Sequence, residues 1–131
     1  MSETIRELIS EEDVAAKVKE IGAQITKDYE GKAVHLICVL KGGVFFTCEL
    51  AKRIEVPVSL DFMSVSSYGD DTKSSGVVKI IKDLDESIEG KDVLIVGHGA
   101  MNSSIVCQIR NLPLSKFWDA GIENCKLMKL K

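Results

Sequence analysis

The run Val34-His35-Leu36-Ile37-Cys38-Val39-Leu40 constrains this chain more than any other stretch. Near-continuous apolarity over that length suits a parallel strand buried on both faces, and such a strand needs covering elements on each side. The sequence around it supplies them. Upstream, Val14, Val18, Ile21 and Ile25 recur at spacings of three and four within residues 3–29 and mark one helix face. Ser10 followed by Glu11, Glu12 and Asp13 reads as a capped helix start with acids in the first turn, and Gly31-Lys32 closes the unit. Downstream, Lys41-Gly42-Gly43 ends the strand, and Val44–Ile54 reads as a helix carrying Phe45, Phe46 and Leu50.

Pro57 opens a second strand, Val58–Val65, and the polar stretch Ser66–Gly76 predicts a loop. Val77–Ile81 returns as a strand, so residues 60–82 read as an antiparallel excursion from the sheet. A turn at Ile88–Asp92 leads into the apolar strand Val93–Val96. Ser103–Arg110 predicts a helix, broken by Leu112-Pro113-Leu114-Ser115, and Lys126–Leu130 alternates like an edge strand. Strands alternating with helices predict an open, mostly parallel α/β sheet.

Composition sets the outer bounds. A chain of 131 residues, 45% of them hydrophobic, predicts a single domain over 1–131 with a true core. A net charge of −3 argues against a nucleic-acid or membrane-surface binder. No apolar run approaches the ~18 residues of a membrane span, and Met1-Ser2-Glu3-Thr4 begins no signal peptide, so a cytoplasmic location is expected. Cys38, Cys48, Cys107 and Cys125 lack the paired short spacings of a zinc site and are expected as reduced thiols. The charge is unevenly spread: residues 1–96 hold 12 Lys/Arg against 18 Asp/Glu, whereas 97–131 hold 5 against 2.

Three clusters could carry chemistry. Leu40-Lys41-Gly42-Gly43 ends a buried strand with two glycines that permit close backbone approach and a lysine that attracts an anion. An ordinary tight strand-to-helix turn fits the same residues. Ser66-Ser67-Tyr68-Gly69-Asp70 suits a lid with an aromatic, or a solvated hairpin tip. Asp83-Leu84-Asp85-Glu86 offers three carboxylates in four residues, a pattern shared by solvated turns and metal sites.

Taken together with Asp61-Phe62-Met63, Ser74-Ser75-Gly76 and Gly90-Lys91-Asp92-Val93-Leu94-Ile95-Val96, these clusters give residues 1–96 a close resemblance to bacterial hypoxanthine (hypoxanthine–guanine) phosphoribosyltransferases. The resemblance implies an open sheet of the phosphoribosyltransferase type, here truncated, with its lid loop near 60–82. It implies purine salvage: ribose 5-phosphate moves from phosphoribosyl pyrophosphate to hypoxanthine or guanine, giving IMP or GMP, with Mg²⁺. Leu40, Lys41, Gly42 and Gly43 would form the pyrophosphate loop, whose Leu–Lys peptide is often cis in the family. Ser67 and Tyr68 would belong to the catalytic lid that keeps water from an oxocarbenium-like transition state. A homo-oligomer is expected.

The pattern breaks after Val96. There the family carries an acidic pair that organises Mg²⁺ and the ribose, then a third acid as general base, then a Thr-Gly-x-Thr phosphate turn. This chain reads Gly97-His98-Gly99-Ala100-Met101-Asn102-Ser103-Ser104, so Gly97 and His98 replace the pair and Met101 replaces the base. The protein ligands of the metal are therefore missing, and the purine-binding segments further on have no counterpart. Residues 94–131 instead resemble the C-terminal part of histidine phosphatases of the phosphoglycerate-mutase type. Val96-Gly97-His98-Gly99-Ala100, Leu112-Pro113-Leu114-Ser115-Lys116-Phe117-Trp118 and Glu123-Asn124-Cys125 carry that likeness.

In the phosphatase family the histidine matching His98 binds the transferred phosphoryl group. Its nucleophilic histidine, in an Arg-His-Gly turn, is missing, and His35 lies within an apolar strand beside no arginine. His98, Gly99, Asn102, Ser103 and Ser104 are the candidate phosphate-binding residues, although a plain Gly-rich connection with a Ser cap fits them more readily. Phe117 and Trp118 are expected in the core or a subunit contact. The expectation is thus a phosphoribosyltransferase-derived chain with impaired or absent transfer. Phosphatase-like chemistry at His98 and a non-catalytic α/β binding or recombined protein stay open beside it.

Overall fold

The computed structural model describes residues 4–67, 78–113, 115–116 and 123–130. Its elements run α1 (Glu11–Asp28), β1 (Val34–Val39), α2 (Val44–Ala51), β2 (Val58–Ser67), β3 (Val78–Lys82), β4 (Val93–Val96) and α3 (Gly99–Ile109). The four strands form one sheet in the order β3-β2-β1-β4. β1 is central and pairs parallel with both β2 and β4, and β3 returns antiparallel on β2, as the sequence predicted. A register irregularity at Ser64/Val65 bends β2 where it enters that excursion.

The buried strand is buried as its composition demands: Val34, Leu36 and Cys38 are fully enclosed. Val34 meets Val18, Ile21 and Ile25 of α1 and Leu50 of α2 in the main apolar cluster, joined by Ile54, and Leu94 and Val96 of β4 pack against it. Ser10 caps α1 through its Oγ, which accepts the Asp13 N–H at 3.0 Å, so the acids sit at the positive end of the helix dipole. The apolar stripe is shorter than the sequence suggested. Val14 is 48% exposed, because α1 only meets the sheet from Val18 onward.

α1 meets the turn that follows α2 at a glycine. A Cβ built on Gly22 would lie 2.5 Å from the Arg53 Cβ and 2.8 Å from the Arg53 carbonyl oxygen. Close by, Thr26 Oγ1 donates to the Gly22 carbonyl at 2.8 Å and accepts the Glu55 N–H at 3.0 Å, tying α1 to the chain leaving α2.

Several boundaries differ from the sequence reading. α2 ends at Ala51 rather than Ile54, and β2 continues to Ser67 rather than Val65 because β3 pairs it that far. α3 begins four residues before the expected Ser103, since glycine and alanine at its start follow an extended N-cap at His98. Residues 126–130 form no strand. Their alternation serves packing instead: Leu127 turns into the main cluster, while Cys125 and Lys126 line a groove with Lys17 and Gln24 of α1. Tyr68, Ser74–Gly76, Phe117 and Trp118 lie outside the described residues.

Candidate functional site

Adjacent parallel strands send their next segments out at the same sheet edge, and in open α/β sheets ligands bind there. β1 and β4 are such neighbours, with Cys38 beside Val96. The segment 40–43 leaves β1 for α2, and Gly97-His98 leaves β4 for α3, so the two candidate anion loops emerge side by side.

The first loop is held firmly at its base. Leu40 N–H donates to the Met63 carbonyl at 2.8 Å, extending the sheet contact beyond β1. The Leu40–Lys41 peptide is cis, as the family resemblance implies. Thr47, fully buried, donates both its N–H (2.9 Å) and its Oγ1 (2.7 Å) to the Gly43 carbonyl. Lys41 and Gly42 between these anchors are exposed.

The second loop meets the first. His98, exposed and extended at φ −76° and ψ 157°, is the N-cap of α3 but makes no side-chain capping bond. Its ring instead lies against Gly42: a Cβ there would collide with Nε2 and come within 2.8 Å of Cε1. Asn102 turns back, its Nδ2 donating to the Gly97 carbonyl at 3.0 Å while its N–H reaches the His98 carbonyl at 3.0 Å. Ser103 is buried at 7% exposure, and the Ser104 hydroxyl donates to the Ala100 carbonyl at 3.1 Å. Both serines therefore sit one turn inside α3, because the helix starts earlier than its sequence suggested. Of the five candidates after β4, only His98 and Gly99 stand at the helix start itself.

At the far end of the sheet, His35 is 3% exposed, with Nδ1 2.7 Å from Ser59 Oγ and, among the described residues, no partner for Nε2. It pairs with Val93, five residues before His98, which places the histidines about 16 Å apart along the strands at ~3.3 Å per residue. They cannot act on one phosphoryl group.

Asp61, which the sequence presents only as part of the motif Asp61-Phe62-Met63, is a lone carboxylate within an apolar strand. It is 3% exposed on β2 and accepts N–H bonds from Phe62 (2.8 Å), Asp85 (2.9 Å) and Glu86 (3.2 Å). Burial by itself would raise its pKa, yet these N–H groups and the Lys82 ammonium hold the carboxyl below the usual range. Its signal was present as the single charge between Leu60 and Phe62. Asp61 thereby organises the acidic turn: Asp85 pairs with Lys82 at 3.1 Å and Glu86 with Lys91 at 2.6 Å. Asp83 accepts the N–H of Leu84 at 2.8 Å. The three carboxylates thus serve a turn, and among the described residues no three His, Cys, Asp or Glu side chains gather into a metal-ligating group.

The model of the phosphoribosyl transferase domain matches residues 5–97, the whole of this sheet and its first loop. The chain belongs to the phosphoribosyltransferase family. A hypoxanthine-guanine phosphoribosyltransferase of Streptococcus thermophilus is 56% identical over 89 residues, 68% of this chain and 49% of that protein. The Staphylococcus aureus protein of the same name is 54% identical over 89 residues, 68% of this chain and 50% of its own length. The chain spans about half the length of the curated relatives it matches. Crystal structures extend the likeness further along this chain. A hypoxanthine phosphoribosyltransferase from Staphylococcus aureus superposes with TM-score 0.67 at 46% identity over 81% of this chain and 60% of that one. A hypoxanthine-guanine phosphoribosyltransferase from Bacillus anthracis gives TM-score 0.67 at 38% identity over 83% and 66%. A second model, the histidine phosphatase superfamily (branch 1), matches residues 74–131. The C-terminal part thus resembles a histidine phosphatase, as its motifs suggested, and the two matches overlap across β3 and β4.

Proposed function

We propose that this chain is a phosphoribosyltransferase-derived protein that retains an anion-binding loop but is impaired in phosphoribosyl transfer to a purine. One observation carries the reading. At the ends of β1 and β4 the glycine-rich loop with Lys41 meets the segment Gly97-His98, and neither 40–43 nor 97–104 carries a carboxylate. Exposed backbone around Gly42 and the Lys41 ammonium suit a pyrophosphate group. Transfer needs more than holding an anion. In the family one pair of carboxylates organises Mg²⁺ and a further one moves a proton at the purine. Gly97 and Met101 offer neither function, and the His98 imidazole at the place of the metal-organising pair is no hard oxygen ligand for Mg²⁺. The residues at the end of β4 do not fit the family's metal.

The chain is best regarded as composite, with a phosphoribosyltransferase part over 1–96 and a phosphatase-like part over 97–131. Support comes from the two family matches, phosphoribosyl transferase over residues 5–97 and histidine phosphatase over residues 74–131. A phosphatase-like α3 following β4 occupies a comparable strand–helix slot. Phosphoribosyl pyrophosphate is the ligand class this reading favours, with purine base expected to bind weakly. Oligomerisation is favoured by the apolar β4, whose residue Ile95 is 38% exposed. Phosphatase chemistry is the second reading, favoured by the match over 74–131 but opposed by the distance between the histidines.

The test is thermal unfolding of the purified chain with inorganic pyrophosphate, phosphoribosyl pyrophosphate with Mg²⁺, or IMP, beside a transferase assay. Pyrophosphate at 100 times its dissociation constant adds ~2.7 kcal/mol to a one-site native state, a clear rise in Tm. Upward shifts without turnover are expected. Measurable IMP formation would sink the claim of impairment, and no shift with any ligand would sink the claim of a surviving site.

A further inference from the structure

We infer that His98 is a plug on the loop Leu40–Gly43, an autoinhibitory contact that must swing aside before an anion reaches the backbone at Gly42. The inference rests on the anion role proposed for that loop. His98 touches Gly42 with the tip of its ring: Nε2 occupies the direction a side chain would take from Gly42, and Cε1 lies 2.8 Å from the same point. Glycine at 42 leaves open the face of the backbone that a ligand would approach, and the imidazole fills it. Among the described residues the ring takes part in no hydrogen bond or ion pair. It makes no capping bond to α3, and the residue is exposed.

The hinge is equally plain. The His98 backbone is fixed from both sides, because its carbonyl accepts the Asn102 N–H at 3.0 Å and Asn102 Nδ2 holds the Gly97 carbonyl at 3.0 Å. The loop beneath is fixed by the two bonds from Thr47 to Gly43. Only the side-chain torsions of His98 separate the covered from the open loop. A ligand that binds the open form alone has its apparent affinity reduced by the open fraction. With the loop open in about one molecule in ten, binding weakens ~10-fold.

The experiment is an NMR titration of the full chain with inorganic pyrophosphate, comparing wild type, His98→Ala and His98→Asn. Asparagine keeps a favoured N-cap for α3 but is too short to cover Gly42, so it guards against a helix start lost with alanine. In the free protein both variants should lose the ring-current shift at the Gly42 Hα. Both should then bind pyrophosphate ~10-fold more tightly than wild type. Equal or weaker binding by the variants, with the ring-current shift present in wild type, overturns the plug and makes His98 a bystander or a ligand. Absence of the ring-current shift in wild type overturns it too, whatever the affinities. Pyrophosphate bound by none of the three proteins removes the anion role of the loop, and the plug with it.

Discussion

Gly22→Ala sets two effects of opposite sign against each other in α1. Alanine is the better helix former by ~1 kcal/mol, so an isolated helix would gain. In the folded chain the new methyl would lie 2.5 Å from the Arg53 Cβ, 2.8 Å from its carbonyl oxygen and 3.0 Å from its carbonyl carbon. Ordinary contact begins near 3.4 Å, and these neighbours are backbone and Cβ, which cannot rotate away as a long side chain can. Overpacking of this kind costs ~1–3 kcal/mol. Subtracting the propensity gain leaves a net loss of about 1 kcal/mol, reaching ~2 where the turn after α2 resists displacement.

Urea unfolding reads this directly. With a slope of about 1–3 kcal/mol/M, a loss of about 1 kcal/mol should lower the midpoint by roughly 0.3–1 M. Ala23→Gly, at the next and exposed position, is the companion, since it loses propensity alone and should cost ~1 kcal/mol. Both substitutions are thus expected to destabilise although they are chemical opposites. A midpoint that rises in Gly22→Ala while falling in Ala23→Gly would show that propensity decides and that α1 and the turn after α2 are not in close contact at Gly22.

Two further outcomes follow from the polar contacts. Thr26→Ala removes the acceptor of the Glu55 N–H and should cost ~1 kcal/mol in the same assay, with Thr26→Ser retaining most of it; equal losses would assign the effect to the methyl. The Asp61 carboxyl is held below the ordinary carboxylate range by its N–H donors and Lys82, so its stabilisation is complete above that range and is lost as pH falls through the lower folded value. Asp61→Asn should therefore lower Tm at neutral pH and flatten its acid limb, and an unchanged slope of Tm below the ordinary Asp pKa of about 4 would refute the assignment.

Legibility varied with how local each signal was. The buried β1, the Ser10 cap and the β2–β3 return could be read directly, because burial on both faces, a capping hydroxyl followed by acids, and a polar break between apolar runs are all written in adjacent residues. The start of α3 was misplaced because Gly99-Ala100 favours a loop by composition, and only the extended His98 and the turned-back Asn102 show a helix beginning there. Alternation at 126–130 resembled a strand, but it reflects Leu127 meeting the main cluster without a pairing partner. The role of Asp61 is not legible in the sequence, because a single charge in a strand does not reveal which N–H groups will converge on it.

The sequence by itself determined the family, the order of strands and helices, and the chemical change after Val96. Each of these depends on which residue types follow one another, and a carboxylate replaced by glycine or histidine is missing in any conformation. Only the tertiary structure decided what met across the fold: Gly22 against Arg53, Asp61 beneath its acidic turn, and His98 upon Gly42. These pairs are separated by between 22 and 56 residues in the chain. Their contact depends on the register of β1 with β2 and β4 and on how α1 and α2 pack, to which no neighbouring residue testifies.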